Sequence, residues 1–441
     1  TFFPEAVLIG AQAYDVETGA ELGAAPAIPP HRRAKRWLDK VVGDDGKLYD
    51  VDERTGALTL WGEMPTTHLV PPPPGDEKRW DASIAWHATH GERAYGTSRF
   101  SDPRIEIVIC HVPSKRLTRE PLDWRPAKPQ KSYSMHVGPD GAVYGSNYSL
   151  AMWRVDARTG ECRTLGWAVP PRAGGELWCF ANMGRRMYIG AYTYSWVSVY
   201  DPARPWDPGV RGGNNPRNLF RLFDHAPDQH RPRALALAGD GKVYLASCAD
   251  YGVTRDGALA AIDPKTDTLA HVWCPLVKDH QLISLAPHPV RRELYVGTYR
   301  GDWWTSAVAG AMAVLDLERG EVVRRFDFPN TVQYLAAGAG IVAGLVRREW
   351  RMFFYNPETG ECTAPELLEG AKTFFLGLRP SRGTWLVYQR GRLFEMEPTT
   401  RALRQISPEG VEIAGSDFRE GLDGLIYFRG ADELDICRFV P

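Results

Sequence analysis

The sequence has almost no net charge: 53 Lys and Arg face 54 Asp and Glu, leaving a formal −1. Nucleic-acid binding draws on a basic excess, so no nucleic-acid partner is expected. No apolar run approaches the ~18 residues that a bilayer crossing needs, and no membrane partner is expected either. Seven cysteines (Cys110, Cys162, Cys179, Cys248, Cys274, Cys362 and Cys437) form no CxxC pair. Their odd number argues against a complete disulfide framework, and several fall in expected strands, as small buried hydrophobes do. A Walker loop, a Rossmann fingerprint, HExxH and GxSxG are all missing. The pairs Gly174–Gly175 and Gly212–Gly213 lack the strand-to-helix setting of a phosphate cradle. Any chemistry must therefore come from residues gathered in space. The first residues, TFFPEAV, carry neither a charged nor an apolar leader segment. They are read as the start of a mature secreted or periplasmic protein, with the cytoplasm as the alternative.

What is present is a repeat. From His230 to Leu269, alternating apolar residues meet a Gly239-Asp240-Gly241 turn, a second strand over Lys242 to Ala246, a wider loop, and a third strand ending at Asp263-Pro264. Period-two alternation bounded by Gly, Asp and Pro marks strands and hairpins. A second-strand aromatic repeats the pattern at Tyr95, Tyr144, Tyr188, Tyr244 and Tyr295, with weaker copies near Gly344, Trp385 and Tyr427. Third-strand ends repeat at Asp156, Asp201, Asp263, Asp316 and Asn356 as DxxTG-like or DP-like type I turns. A period of roughly forty-five to fifty-five residues without convincing helices predicts a WD40-like array of four-stranded propeller blades.

The fold class expected is therefore all-β: a single-domain β-propeller over residues 1–441, with eight blades favoured and seven as the alternative. Residues 1–75 form a closure segment and connector, which includes the stiff run Pro71 to Pro74, and 76–441 form the blades. The N-terminal segment is expected to complete the last blade, since ring closure removes exposed sheet edges.

In a propeller, the starts of the inner strands and the loops between second and third strands share one face. The inner-strand starts carry Trp86 and His87, Tyr133 and His136, Trp178, His230 with Arg231 and Arg233, His280 with Gln281, and Gln333 with Tyr334. The loops add Tyr192, Tyr194, Tyr251, Tyr299, Arg300 and Trp303. Aromatic platforms suit sugar rings, and arginine suits carboxylates through bidentate hydrogen bonds. The bland alternative is that wide blades need bulky packing at their rims. His87 and His136 each lie eight residues before a second-strand tyrosine and so are predicted to occupy equivalent positions in neighbouring blades. Phe180 and Ala236 follow at that spacing, so histidine there is no demand of the repeat.

Around the ring, His87, His136, Tyr192 or Tyr194, and Arg231 supply what proton abstraction beside a carboxylate needs. A cation neutralises the acid as the carbanion-like state forms, one group takes the α proton, and another returns one to the departing oxygen. With this blade pattern and residue order across about 90–300, the chain resembles the propeller-type polysaccharide lyases that act on glucuronate-containing polymers. The resemblance implies β-elimination, with His87, His136, Tyr192 or Tyr194, and Arg231 catalytic. Substrate contacts would come from Trp86, Tyr133, Trp178, His230, Arg233, Tyr251, His280, Gln281, Tyr299, Arg300 and Trp303. The partner is then an acidic oligo- or polysaccharide, bound by a monomer without a cofactor. A metal held by His280, Gln281 and His230, as in some propeller lyases, is the lesser alternative. Two other classes stay open: a non-enzymatic propeller binding a glycan or protein, and a metal-dependent propeller enzyme.

Overall fold

The computed structural model describes residues 131–147, 151–169, 176–207, 215–249, 255–301, 309–338 and 340–441, and the strands of the first 125 residues. The chain divides into two compact units, Thr1–Arg125 and Pro126–Pro441. The first contains three antiparallel meanders: Ala6–Ile9 to Glu21–Ala24, Arg36–Trp37 to Leu58–Glu63, and Ile84–His90 to Arg116–Pro121. The expected single domain, with its boundary near residue 75, is thus set beside a division at 125/126. The run Pro71 to Pro74 lies outside the described residues.

The second unit is a β-propeller of seven blades, each an antiparallel meander whose first strand is innermost. The inner strands are Ser132–Val137, Leu177–Met183, Gln229–Leu237, His280–Pro287, Val332–Ala337, Thr373–Arg379 and Gly415–Glu420 for blades 1 to 7. Each packs beside the next, and that of blade 7 packs on that of blade 1. Blades 5 and 7 have three strands and the others four.

Seven blades replace the favoured eight for a definite reason. The copy at Tyr95 sits in the first unit, in the sheet of Ile84–His90 and Arg93–Ser98, and the seven copies from Tyr144 onward close the ring by themselves. Nor does the N-terminal segment complete the last blade. Its strands pair among themselves, and blade 7 ends at Ile436–Phe439. The closure joins whole blades: Tyr427 of blade 7 packs with Met135, Val137 and Val143 of blade 1. Ser132 N donates to Glu433 O at 2.6 Å, and Arg429 Nη1 donates to Ser132 O at 2.7 Å.

Seam by seam, the residues explain the packing. A middle strand is covered on both faces by neighbouring blades, so Val243–Ala249 is buried throughout and reads as an apolar run interrupted by Ser247. An outer strand such as Glu321–Phe328 has one wet face and alternates. The repeated tyrosine has a second duty at the turn below it. Tyr144, Tyr244 and Tyr427 donate to Asp140, Asp240 and Asp423 at 2.9, 2.9 and 2.7 Å, so each buried phenol meets a turn carboxylate. The DxxTG turns form as predicted: the carboxylate of Asp156 and the amide oxygen of Asn356 each accept two backbone N–H bonds, and Gly160 and Gly360 take φ of +75° and +76°.

Glycine in the second strand marks where blades approach most closely. A Cβ on Gly297 would stand 2.1 Å from Ser284 Oγ and 2.6 Å from Val332 O of the next blade. Gly297→Ala is therefore expected to lower unfolding stability by about 1–3 kcal/mol through overpacking, as read from the urea midpoint.

Candidate functional site

Near its start, the inner strand of every blade carries a β-bulge, an extra residue that bends the strand and re-aims a side chain. The register slips at Tyr133 in blade 1, Trp178 in blade 2, His230 and Arg233 in blade 3, Ile283 in blade 4, Gln333 in blade 5 and Phe374 in blade 6. In blade 7 it slips across Asp417 and Phe418.

Three consecutive blades bring their bulged residues into contact. The rings of Tyr133 and Trp178 lie 5.4 Å apart, and those of Trp178 and Tyr192 lie 6.0 Å apart. The Arg233 guanidinium sits 4.3 Å from the Trp178 ring centre, and that of Arg231 sits 5.7 Å from Trp178 and 5.2 Å from Tyr192. Arg231 is only 8% exposed, so its cation–π contacts act in a partly desolvated setting, where each is worth about 2 kcal/mol. Gly190 makes the approach possible. A Cβ there would meet Cys179 Sγ at 2.6 Å and Pro232 Cβ at 3.0 Å, and Pro232 is the residue between the two arginines.

The cluster continues into blade 4. Arg233 Nε donates to Cys248 Sγ at 3.4 Å, and Cys248 packs with Ile283 and Tyr299. Burial, and then the neighbouring Cys248, raise the Tyr299 phenol pKa, so Tyr299 is a neutral wall. Gln281 Oε1 accepts from Ala249 N at 2.8 Å and ties blade 4 to blade 3.

Other predicted residues lie elsewhere. Tyr194 and His230 form a separate stack with Phe223 (ring centres 4.9–5.2 Å apart), and Arg221 lies 5.6 Å from the Tyr194 ring centre. His280 is held within its own blade by Thr298 Oγ1 on Nδ1 at 2.7 Å and Arg325 Nη2 on Nε2 at 3.0 Å. Burial, then the Arg325 charge, lower its pKa to about 4. His230, His280 and Gln281 thus engage different neighbours, and among the described residues no group of three or more His, Cys, Asp or Glu converges as metal ligands. Arg300 is exposed at the end of its strand. Tyr251 and Trp303 lie outside the described residues, and Trp86 and His87 are described only as backbone of Ile84–His90.

The expected equivalence of the two histidines is not kept by the backbone. His136 pairs directly with Tyr144. In the first unit it is Ala88 that pairs with Tyr95, and His87 falls at the bulge between Trp86 and Ala88. Counting eight residues back from the tyrosine assumed one turn length, whereas His90 pairs with Arg93 and Met183 with Arg186 across two residues and Val137 pairs with Val143 across five. The same error placed Phe180 at the His136 position, where the register puts Ala181 opposite Tyr188. His136 also lies three residues beyond Tyr133, about 10 Å further down the strand at ~3.3 Å per residue. There its ring stacks on Phe180 at 5.5 Å, and Nε2 meets Asn182 Oδ1 at 3.0 Å. The residue as a whole is half-buried, and protein surrounds its imidazole. That desolvation lowers its pKa to about 4, against the opposing bond from Asn182, with Arg419 adding a like charge. Of the four catalytic candidates whose side chains are described, Tyr192 and Arg231 are the two that meet. Gln333 was placed on this face without a role and Phe374 was missed, although aligning the inner strands on their bulges finds both. Gln333 Oε1 is buried without a hydrogen-bond partner, and Phe374 is 43% exposed.

No protein-family model and no curated protein matches the chain. Solved structures do. Hydrazine synthase of Kuenenia stuttgartiensis aligns with a TM-score of 0.51 at 13% identity, covering 73% of this chain and 99% of that one. The Dos1 propeller aligns at 0.48 and 11% identity, covering 76% and 87%. The Cps50 (Swd1) β-propeller domain of Myceliophteria thermophila aligns at 0.49 and 11% identity, covering 71% and 98%. At such identities the likeness is one of fold.

The low pKa of His136 sets a pH dependence. The folded imidazole stays neutral down to about pH 4, whereas the unfolded chain takes up its proton near the ordinary 6.5. The unfolded state therefore binds more protons in that window, and stability falls as pH drops from 6.5 towards 4. Urea unfolding at pH 7 and pH 5 is expected to show a smaller loss in His136→Gln than in the unsubstituted protein.

Proposed function

We propose that the propeller binds an acidic saccharide at the face where the inner strands begin, and cleaves it beside a uronic acid by β-elimination. The observation that carries this reading is the placement of Arg231 and Arg233 against Trp178 and Tyr192. Two guanidiniums beside aromatic rings fit a sugar that carries a carboxylate. Arg231 pairs with the carboxylate and offsets the negative charge that develops as the C5 proton leaves. Tyr192, the titratable side chain beside it, exchanges that proton. The C4–O bond then breaks, the C4=C5 double bond forms, and the departing oxygen takes up a proton. Trp178 and Tyr133 stack on the flanking sugar, and Gln333 offers a carbonyl oxygen to a sugar hydroxyl. In this reading the protein works as a monomer, outside the cell or in the periplasm, and needs no metal. His136 has no part in it, because its ring is engaged with Phe180 and Asn182 further down the strand.

A second reading, a propeller that binds the same ligand without turning it over, is favoured by one observation. Among the described residues, Tyr192 and Arg231 are the two proposed acid–base and carboxylate groups that share the cluster. A panel of uronate polymers separates the two by the near-ultraviolet absorbance of the unsaturated product. Elimination predicts product with the unsubstituted protein, a loss of about 10²–10³ in kcat for Arg231→Ala, and mainly a raised KM for Trp178→Ala. Binding seen by tryptophan fluorescence without product on any polymer would sink the lyase and leave the binding reading.

A further inference from the structure

The opposite face holds a second cationic site. Between blades 2 and 3, at the turns that join their outer strands, a cleft of 420 Å³ is lined by Arg185, Arg186, Arg204 and Arg217, with Asp201 and Asp267. The two acids are already engaged. Asp267 is buried and accepts from Arg186 Nη1 at 2.8 Å, from Arg217 Nη2 and from the Tyr188 hydroxyl. Asp201 is buried too and pairs with Arg185 Nε at 3.0 Å. Four guanidiniums thus face two carboxylates, leaving two positive charges in excess.

Arg204 carries the argument furthest, because no carboxylate among the described residues pairs with it and its backbone is fixed. Asn215, itself 2% exposed, donates Nδ2 to the carbonyls of Asp201, Arg204 and Pro205 at 2.8, 3.0 and 3.0 Å. Its Oδ1 accepts from Asp201 N at 2.7 Å, and Arg204 N donates to Asp201 O at 3.0 Å. A buried side chain therefore pins the turn that presents Arg204 at the rim of the cleft. Nothing in blade packing needs an arginine there, and an exposed cation carried on a fixed turn beside a cleft with two surplus charges matches a compact oxyanion.

We propose that this cleft binds a tetrahedral oxyanion, the phosphate or sulfate group of an ester ligand, between Arg204 and the Arg186–Arg217 pair. The site is independent of the Arg231 cluster and of the reaction proposed there.

The test is isothermal titration of the full chain with inorganic phosphate and, separately, inorganic sulfate, at constant ionic strength in a chloride buffer. Saturable binding of either anion is expected, and the tighter of the two assigns the ester class. Arg204→Ala, whose guanidinium supports no other described residue, is expected to weaken binding by about tenfold or more while leaving the melting temperature unchanged. Arg231→Ala is expected to leave this binding intact. No saturable heat with either anion, or equal affinity in Arg204→Ala, would overturn the proposal.

Discussion

The seam between blade 7 and blade 1 is the constraint on which the rest depends. Six other seams can form between blades adjacent in sequence, but this one joins residues some three hundred positions apart. It is made by Tyr427 packed against Met135, Val137 and Val143, and by Arg429 reaching the carbonyl of Ser132. Because the join is between sheet faces and not within one sheet, the outer strand of blade 7 keeps an edge that no described strand covers. The radial order of blades 1, 2 and 3, and with it the contact of Tyr133, Trp178 and Arg231, follows from the ring being closed.

The two faces of the ring divide the work. On the lower side, where inner strands turn back, repeated tyrosines and turn acids satisfy one another, and each DxxTG turn caps its own backbone. These groups recur because the blades that carry them share the same geometric need. On the upper side the inner strands carry bulges, and the residue at the bulge differs from blade to blade: Tyr133, Trp178, Arg233, Ile283, Gln333, Phe374. A position that the repeat leaves free to vary is where recognition can be built without disturbing the seams.

Buried charge follows the same logic. Arg379 bridges Glu395 at 3.1 Å and Glu420 at 2.9 Å, all three nearly inaccessible, and so ties blade 6 to blade 7. Such a network is sensitive to the loss of any one member, since the remaining charge would be buried without a partner. Arg231 is buried as well, and the faces of Trp178 and Tyr192 stabilise its charge.

The propeller class was legible in the sequence, because the second-strand tyrosine, its turn acid and the DxxTG turn are local features whose spacing survives in one dimension. Tyr133, Trp178, Arg231 and Arg233 were legible as residues of one face for the same reason. Blade number was not, since the Tyr95 copy has the same local pattern as the others, and only packing between distant blades decides which copies enter the ring. The positions of His87 and His136 escaped as well. The turn between first and second strands differs in length from copy to copy, and a shift of one residue changes which side chain meets which neighbour. Local turn and strand chemistry sets what a blade is, whereas the count of blades, the register of their inner strands and the meeting of Arg231 with Tyr192 arise only when the ring closes.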